Sequence, residues 1–243
     1  MLVTIITVTF NSATTVSRTI ESVLNQTYRD IEYFIVDGLS SDRTVDIAHS
    51  YEKAFQSKGM RYRVISEKDK GMYDALNKGA KLASGVLIGQ INSDDWYEPN
   101  AVMEMVDLYN REHYDIAWAD LRIKRAKGDI VKKAGIGRIW TTATFCHPSM
   151  FSRKEVLQRF PYAVSQMDDD FDMVTRAYKA GVKFSILNKI IANYTIGGMS
   201  TQKDLKKMCE RINMKYQTYR KNDFSRLYWF YCVAVEFAKY IAA

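Results

Sequence analysis

Apolar residues along this chain recur at two spacings, and the two alternate. Leu2 to Thr9 reads as a strand, and Val16, Ile20, Val23 and Leu24 then fall at helical intervals. Ile31 to Val36 predicts a second strand, ending in Asp37-Gly38. Ser40-Ser41-Asp42 offers an N-cap for a helix with Ile47, Tyr51, Ala54 and Phe55 on one face. Arg61 to Ile65 predicts a third strand. A polar loop, Ser66 to Gly71, leads to a helix with Met72, Ala75, Leu76, Gly79, Leu82 and Ala83 inward, ended by Gly85. Val86 to Ile91 is an almost wholly apolar run, as expected of a strand buried on both faces. This alternation predicts the α/β class with a parallel, doubly wound sheet.

The pattern then changes. Pro99 precedes a helix over Ala101 to Tyr109. Strands are expected over Asp115 to Ala119 and over Leu121 to Lys133, the latter turning at Gly128-Asp129. Phe171, Val174 and Tyr178 put one face of a helix inward up to Gly181, and strands follow near Lys183 to Leu187 and Ile190 to Thr195. A mixed sheet is therefore predicted for the second half. Thr201-Gln-Lys-Asp204 reads as a capping box for a helix with Leu205, Met208, Ile212, Tyr216 and Tyr219 on one side, and a last helix fills Phe224 to Ile241.

At 243 residues, with 47% hydrophobic content, the chain can bury a full core. No repeat or low-complexity tract is visible. The formal charge of +7 permits anionic partners such as diphosphates or lipid surfaces without choosing among them. Nucleic-acid binding would rest on charge alone, since no stacking platform or recognition motif accompanies it. Cys146, Cys209 and Cys232 are scattered, without metal-type spacing, which points to a reducing compartment. The apolar N-terminus lacks a basic region and a cleavage site, so it reads as the first strand. Leu227 to Val235 is too short to span a bilayer. The expected location is the cytoplasm, with peripheral attachment to a membrane as a further option.

Chemistry concentrates at strand ends. Asp94 and Asp95 stand just past the fourth strand, where ligands bind in open α/β sheets. A carboxylate pair there suits a hard divalent cation and hence a diphosphate; the bland alternative is an acidic pair at the helix start after Pro99. Thr9, Phe10, Asn11, Asp37, Gly38 and Ser40 end the first two strands. Asp37 could accept from a base N–H with Phe10 over the ring, or could cap the next helix. Glu67, Asp69, Lys70, Gly71, Tyr73, Asp74, Asn77 and Lys78 form a dense polar cluster, in which Asp74 and Asn77 share a helix face. Asp168-Asp169-Asp170-Phe171-Asp172 holds four carboxylates in five residues. Mutual repulsion among such carboxylates is expected to favour the protonated form of some, and one could serve as a general base; acidic residues at the positive end of a helix dipole are the alternative. His147, before Pro148, is either structural or an active-site wall.

Together, Thr7-Val-Thr-Phe-Asn11, Val36-Asp37-Gly38-x-Ser40-x-Asp42, the Ser66-Glu-x-Asp-x-Gly-x-Tyr-Asp-Ala-x-Asn-Lys-Gly79 block and Asn92-Ser-Asp-Asp-Trp96 resemble family 2 glycosyltransferases of the GT-A fold, in particular those that build bacterial surface polysaccharides. The resemblance runs in order from residue 1 to about 200. It implies a Rossmann-like, mostly parallel mixed sheet: a catalytic domain over 1–200, divided into a nucleotide-sugar half (1–98) and an acceptor half (99–200), with a C-terminal helical extension over 201–243. It implies an inverting enzyme using a UDP-sugar donor and Mn2+ or Mg2+. By the same resemblance Asp37 contacts uracil with Thr9 and Phe10 beside it, Asp94 the ribose or donor sugar, and Asp95 the metal. Asp170, in Asp169-Asp170-Phe171 with Arg176 following, matches the catalytic base. Trp96, His147, Asp169 and the Gly197-Gly198-Met199-Ser200 loop fall on the acceptor side. The chain departs from the family pattern at Asn92, Asp169 and Leu76, where a carboxylate, a glutamate and an arginine are usual.

The resemblance further implies a lipid-diphosphate-linked saccharide acceptor at the inner face of a membrane. The aromatic last helix, within a region of nine basic and four acidic residues from Thr201 onward, suits such an interface. Core packing or a homodimer contact are the alternatives. The competing function is a nucleotide-binding or regulatory protein without activity. A dinucleotide dehydrogenase is disfavoured, because Phe10-Asn11-Ser12 replaces a glycine-rich turn.

Overall fold

The computed structural model describes residues 1–125, 127–136, 144–165, 169–195 and 204–242. Its elements in chain order are β1 (Val3–Thr9), α1 (Val16–Leu24), β2 (Ile31–Asp37), α2 (Thr44–Ser50), α3 (Glu52–Ser57), β3 (Arg61–Ser66), α4 (Met72–Leu82), β4 (Leu87–Gln90), β5 (Trp96–Tyr97), α5 (Ala101–Glu112), β6 (Ile116–Lys124), β7 (Ile130–Lys132), β8 (Phe151–Arg153), α6 (Lys154–Arg159), α7 (Asp169–Lys179), β9 (Phe184–Thr195), α8 (Leu205–Lys221) and α9 (Tyr228–Ala242). A 3-10 turn covers His147–Ser149.

One mixed sheet runs β3-β2-β1-β4-β8-β6-β9-β5, with β7 paired to β6. β1, β2, β3 and β4 run parallel to one another, so their carboxyl ends share one edge. β8 enters antiparallel between β4 and β6, which makes the second half mixed. β1 and β2 are buried along their whole length, because α1 and α4 supply the apolar stripes their sequences predict.

Several expectations give way at polar positions. The helix expected after Asp42 is two helices that meet at Tyr51. There the carbonyls of Ile47 and Ala48 are taken by the hydroxyls of Ser50 (2.6 Å) and Tyr62 (2.8 Å), which compete with the helical ladder. Asp42 still caps α2 from one position further out, accepting from Thr44 N at 2.9 Å. Asp120 does not break a strand. It lies within β6 at a register irregularity, buried, and accepts from Lys133 Nζ (2.7 Å) and Ala134 N (2.9 Å). β9 is likewise one strand through Asn188 and Lys189. Leu82, Val86, Tyr178 and Leu205, expected inward, are exposed. α8 buries Tyr219 as expected, but also Arg211, Lys215 and Thr218, and its N-cap is Asp204, which accepts from Lys207 N at 2.9 Å. The expected capping box therefore shifts onto Asp204, and Thr201 lies outside the described residues. The last helix begins at Tyr228, because Phe224 folds back against Tyr219. β5 and α6 are too short to carry a period and were not expected as elements, and β8 begins at the end of the strand-like run Ser149 to Phe151.

Candidate active site

The carboxyl ends of β1, β2 and β4, the 3-10 turn, the start of α7 and the inner faces of α8 and α9 surround one cavity of about 910 Å³. Thr9, Phe10, Asn11, Gly38, Asp69, Gly71, Tyr73, Asp94, His147 and Asp170 all line it.

Asp37 closes β2 and is fully buried. It accepts from Thr9 Oγ1 (2.9 Å), Ser40 N (2.9 Å), Ser66 Oγ (2.7 Å) and Ser40 Oγ. Four donors fill the capacity of a carboxylate, so here Asp37 ties three strand-end segments together beneath the cavity. Asn11 takes a left-handed conformation at φ 49°, and its Oδ1 accepts from Ser41 N at 2.9 Å. This turn leaves Phe10 64% exposed at the cavity mouth.

The loop before α4 is held by its own carboxylates. Asp69 Oδ1 accepts from Gly71 N at 2.8 Å, and Asp74 Oδ2 from Lys70 N at 3.0 Å. Asp69 passes so close to Gly38 that a Cβ there would stand 2.6 Å from its Oδ2. Gly71 sits at φ 109°, a backbone state that favours glycine. Lys70, Asp74 and Asn77 are not cavity residues. Asn77 turns its amide to Tyr162. It donates to Tyr162 O (2.9 Å) and accepts from Tyr162 N (3.0 Å), which fixes the segment after α6.

Of the acidic pair, Asp94 lines the cavity and Asp95 lies buried behind it. Asp95 Oδ1 accepts from Thr195 N at 3.1 Å, while Oδ2 is buried without a hydrogen-bond partner. Burial, and then the charge of Asp94, hold the Asp95 carboxyl well above the ordinary carboxylate range. Burial also raises Asp94, against the pull of Arg18. Arg18 clamps this turn. Its Nη2 donates to Asp94 O at 2.7 Å and to Thr195 Oγ1 at 3.2 Å, and its guanidinium lies 3.8 Å from the centre of the Trp96 ring. Trp96 serves that clamp and does not line the cavity.

Across the cavity stands Asp170, in the first turn of α7. Its Oδ1 accepts from Phe171 N at 2.7 Å, and its Oδ2 is 3.9 Å from His147 Nδ1. His147 Nε2 is 3.1 Å from Gln90 Oε1, which also accepts from Tyr162 Oη at 2.5 Å. With that oxygen as acceptor, Nε2 carries the imidazole proton and Nδ1 turns its lone pair toward Asp170. Burial lowers the His147 pKa, against the opposing charge of Asp170. Asp169, expected on the acceptor wall, is buried and accepts from Ser165 N (2.5 Å) and Ser165 Oγ (2.8 Å). Asp172 is buried too, accepting from Asn222 Nδ2 and Arg176 Nε at 2.8 Å each, and so binds α8 to α7. Asp168, Gly197 and Gly198 lie outside the described residues.

The family model described as "Glycosyl transferase family 2" matches residues 4–163. The chain belongs to this family. Among curated relatives, the glycosyltransferase is 30% identical over 209 residues to a chondroitin synthase of Escherichia coli, covering 82% of this chain and 30% of the relative. It is 26% identical over 216 residues to a PGL/p-HBAD biosynthesis glycosyltransferase of Mycobacterium bovis, covering 86% of this chain and 83% of that protein. It thus spans under a third of the first relative and most of the second. Among solved structures it resembles S. aureus TarS 1-349 in complex with UDP-GlcNAc, with a TM-score of 0.72 at 16% identity, covering all of this chain and 73% of that one. It also resembles the mannosyltransferase PcManGT of Pyrobaculum calidifontis in complex with GDP-Man and Mn2+, at 0.70 and 15%, covering 99% and 74%. These likenesses bear out the GT-A fold expected from the sequence motifs.

Sequence reasoning missed several residues of this glycosyltransferase's site. Arg18, Gln90, Tyr162, Arg211 and Glu236 belong to no local motif. Only Gln90 carried a signal, as a polar residue ending an apolar strand.

Proposed function

We propose that this glycosyltransferase transfers a sugar from a UDP-sugar to a saccharide hydroxyl, inverting the anomeric carbon, with Asp170 as general base. The observation that carries the proposal is that Asp94 and Asp170 line one cavity of about 910 Å³ from different elements. That volume accommodates a nucleotide sugar and an acceptor ring together. Phe10 covers the uracil, above the floor made by Thr9, Asn11 and Gly38. Asp37 contacts the base when a serine hydroxyl releases one of its oxygens, and otherwise anchors the floor through Ser40. Gly71, on the loop that Asp69 and Asp74 hold through Gly71 N and Lys70 N, and Tyr73, in the first turn of α4, flank the diphosphate. The UDP and UDP-GlcNAc complexes of TarS support the choice of donor.

The Asp94–Asp95 turn fits Mn2+ or Mg2+. A buried carboxylate oxygen without a partner, Asp95 Oδ2, is a hard donor awaiting a ligand. Among the described residues no three His, Cys, Asp or Glu side chains form a metal cage, and such ions are commonly held by one or two carboxylates with substrate phosphates. Asp95 would hold the ion, with Asp94 on the ribose or donor sugar. When bound, the ion neutralises charge gathering on the departing UDP. Asp170 takes the proton of the acceptor hydroxyl as that oxygen bonds to the anomeric carbon from the face opposite the diphosphate, and the electrons of the broken bond leave with UDP. The neutral His147 keeps a polar neighbour beside that carboxylate without fixing a charge there.

The acceptor is a saccharide carried on a lipid diphosphate. Phe230, Phe237 and Ile241 are exposed along one side of α9, with exposed Leu227 just before it, and Arg220, Lys221 and Arg226 lie exposed near its start. An apolar stripe beside basic residues suits an anionic membrane surface. No described helix is long and apolar enough to cross a membrane. Sedimentation with anionic vesicles tests this attachment; dimerisation without vesicle binding would assign the stripe to a second copy.

The direct test of the donor site is thermal. UDP raises the melting temperature when Mn2+ or Mg2+ is present and not in EDTA, since diphosphate and ion share a site. Asp95→Asn abolishes that dependence. A shift with GDP and none with UDP would replace the donor, and no shift with either would remove the proposal.

A further inference from the structure

Three charged side chains are buried where the last two helices meet. Arg211 Nε donates to Glu236 Oε2 at 2.9 Å, and Lys215 Nζ lies 3.0 Å from Glu236 Oε1, with the side chains 8%, 1% and 3% exposed in the order Arg211, Glu236 and Lys215. Desolvation offsets most of the attraction in such a group, and apolar residues of similar volume join two helices as well or better. Helix joining therefore does not account for it. Its position does. Arg211 and Glu236 line the cavity that holds Asp170, as does Met214, one turn beyond Arg211 on the same face of α8. The C-terminal end of α8 is fastened to α7, the helix of Asp170, through Asn222 and Asp172. Tyr219 of α8 also packs against Phe171, the residue after Asp170, with ring centres 5.5 Å apart, which places α8 on the base's side of the cavity. The donor floor, by contrast, is built from β1 and β2.

We propose that Arg211 and Glu236 form the acceptor-sugar subsite, the guanidinium donating to, and the carboxylate accepting from, adjacent hydroxyls of the saccharide ring that receives the sugar, with Met214 against its apolar face. Paired opposite charges suit a ring whose hydroxyls both donate and accept. Lys215, 3.0 Å from Glu236 Oε1, holds that carboxylate in place. α8 and α9 lie outside residues 4–163, so the family match does not bear on them. The subsite rests on the reading of Asp170 as the base.

The test uses the full chain with UDP and Mg2+. Saturation-transfer NMR measures binding of a panel of p-nitrophenyl β-glycosides: glucoside, galactoside, N-acetylglucosaminide, N-acetylgalactosaminide and glucuronide. Three proteins are compared: wild type, Arg211→Met, and the apolar triple variant Arg211→Met/Lys215→Met/Glu236→Leu. At least one glycoside binds the wild type, and both variants bind it ten-fold or more weaker, with UDP affinity within two-fold of wild type. The triple variant melts at or above the wild-type temperature. Glycoside affinity within two-fold of wild type in Arg211→Met overturns the subsite, as does a UDP-loaded wild type that binds no glycoside. A triple variant melting far below wild type would show the triad to be a helix tie and overturn it too. Failure of the wild type to bind UDP would instead remove the donor-site reading, and this subsite with it.

Discussion

Arg18 stacks 3.8 Å from the centre of the Trp96 ring and donates at 2.7 Å to the backbone carbonyl of Asp94, so one exposed side chain on α1 braces the turn that carries both carboxylates. Its planar, multi-donor head makes both contacts at once, which an ammonium does not reproduce. Arg18→Lys and Arg18→Ala are both expected to weaken UDP binding in Mn2+ by about ten-fold. The loss in global stability is about 1 kcal/mol or less, the scale of an exposed cation–π contact. Calorimetric titration and urea denaturation separate the two effects. Full rescue by lysine would contradict the clamp.

Gly38 yields a second expectation. A Cβ at this position meets Asp69 Oδ2 at 2.6 Å, and Asp69 is the acceptor that holds Gly71 N. Gly38→Ala displaces Asp69 from the loop rather than disturbing the core. UDP affinity is expected to fall at least five-fold, with the melting temperature within about 2 °C, a change worth about 1 kcal/mol or less in a chain of this size. A stability loss without an affinity loss would place the strain elsewhere.

Most of the fold was legible because its parallel half states its period plainly. β1, β2 and α4 sit where their apolar spacing places them. Legibility failed where a polar residue stayed inside an element. Asp120 reads as a strand break, yet a buried carboxylate supplied with Lys133 and Ala134 as donors sits well inside a bulged strand. The inward face of α8 was only partly legible: Tyr219, Ile212 and Tyr216 pack inward as expected, but its buried positions also include Arg211 and Lys215, which no hydrophobicity rule sends inward. At the site, Asp94 and Asp95 stood out as carboxylates past a strand end, whereas Asp170 was singled out from its acidic cluster only by the family resemblance. Arg18 and Gln90 did not stand out, since they act across long sequence separations: Arg18 meets the Asp94 turn 76 residues away, and Gln90 meets His147 57 residues away.

His147 sets an acid limit on stability. The unfolded chain protonates a histidine near pH 6.5, whereas burial lowers this one in the fold. Below about pH 6.5 the unfolded state therefore binds more protons. Stability is full above that pH and declines as pH falls toward the folded-state pKa, by at most about 1.4 kcal/mol per pH unit from this group. Urea denaturation of wild type and His147→Gln at pH 7.5 and 5.5 checks it. The variant is expected to lose less stability on acidification. A larger loss in the variant would mean that His147 is held protonated by Asp170.

The central claim is that Asp170 is the base facing a donor held at the Asp94 turn. Asp170→Asn preserves the side chain's shape and removes its ability to take a proton. The decisive measurement pairs UDP affinity by calorimetry with UDP release from a panel of UDP-sugars in the presence of saccharide acceptors and Mn2+. The expected result is affinity within two-fold of wild type and release reduced at least 10³-fold, in the range general-base catalysis contributes. Release within ten-fold of wild type, with UDP still bound, would contradict the account.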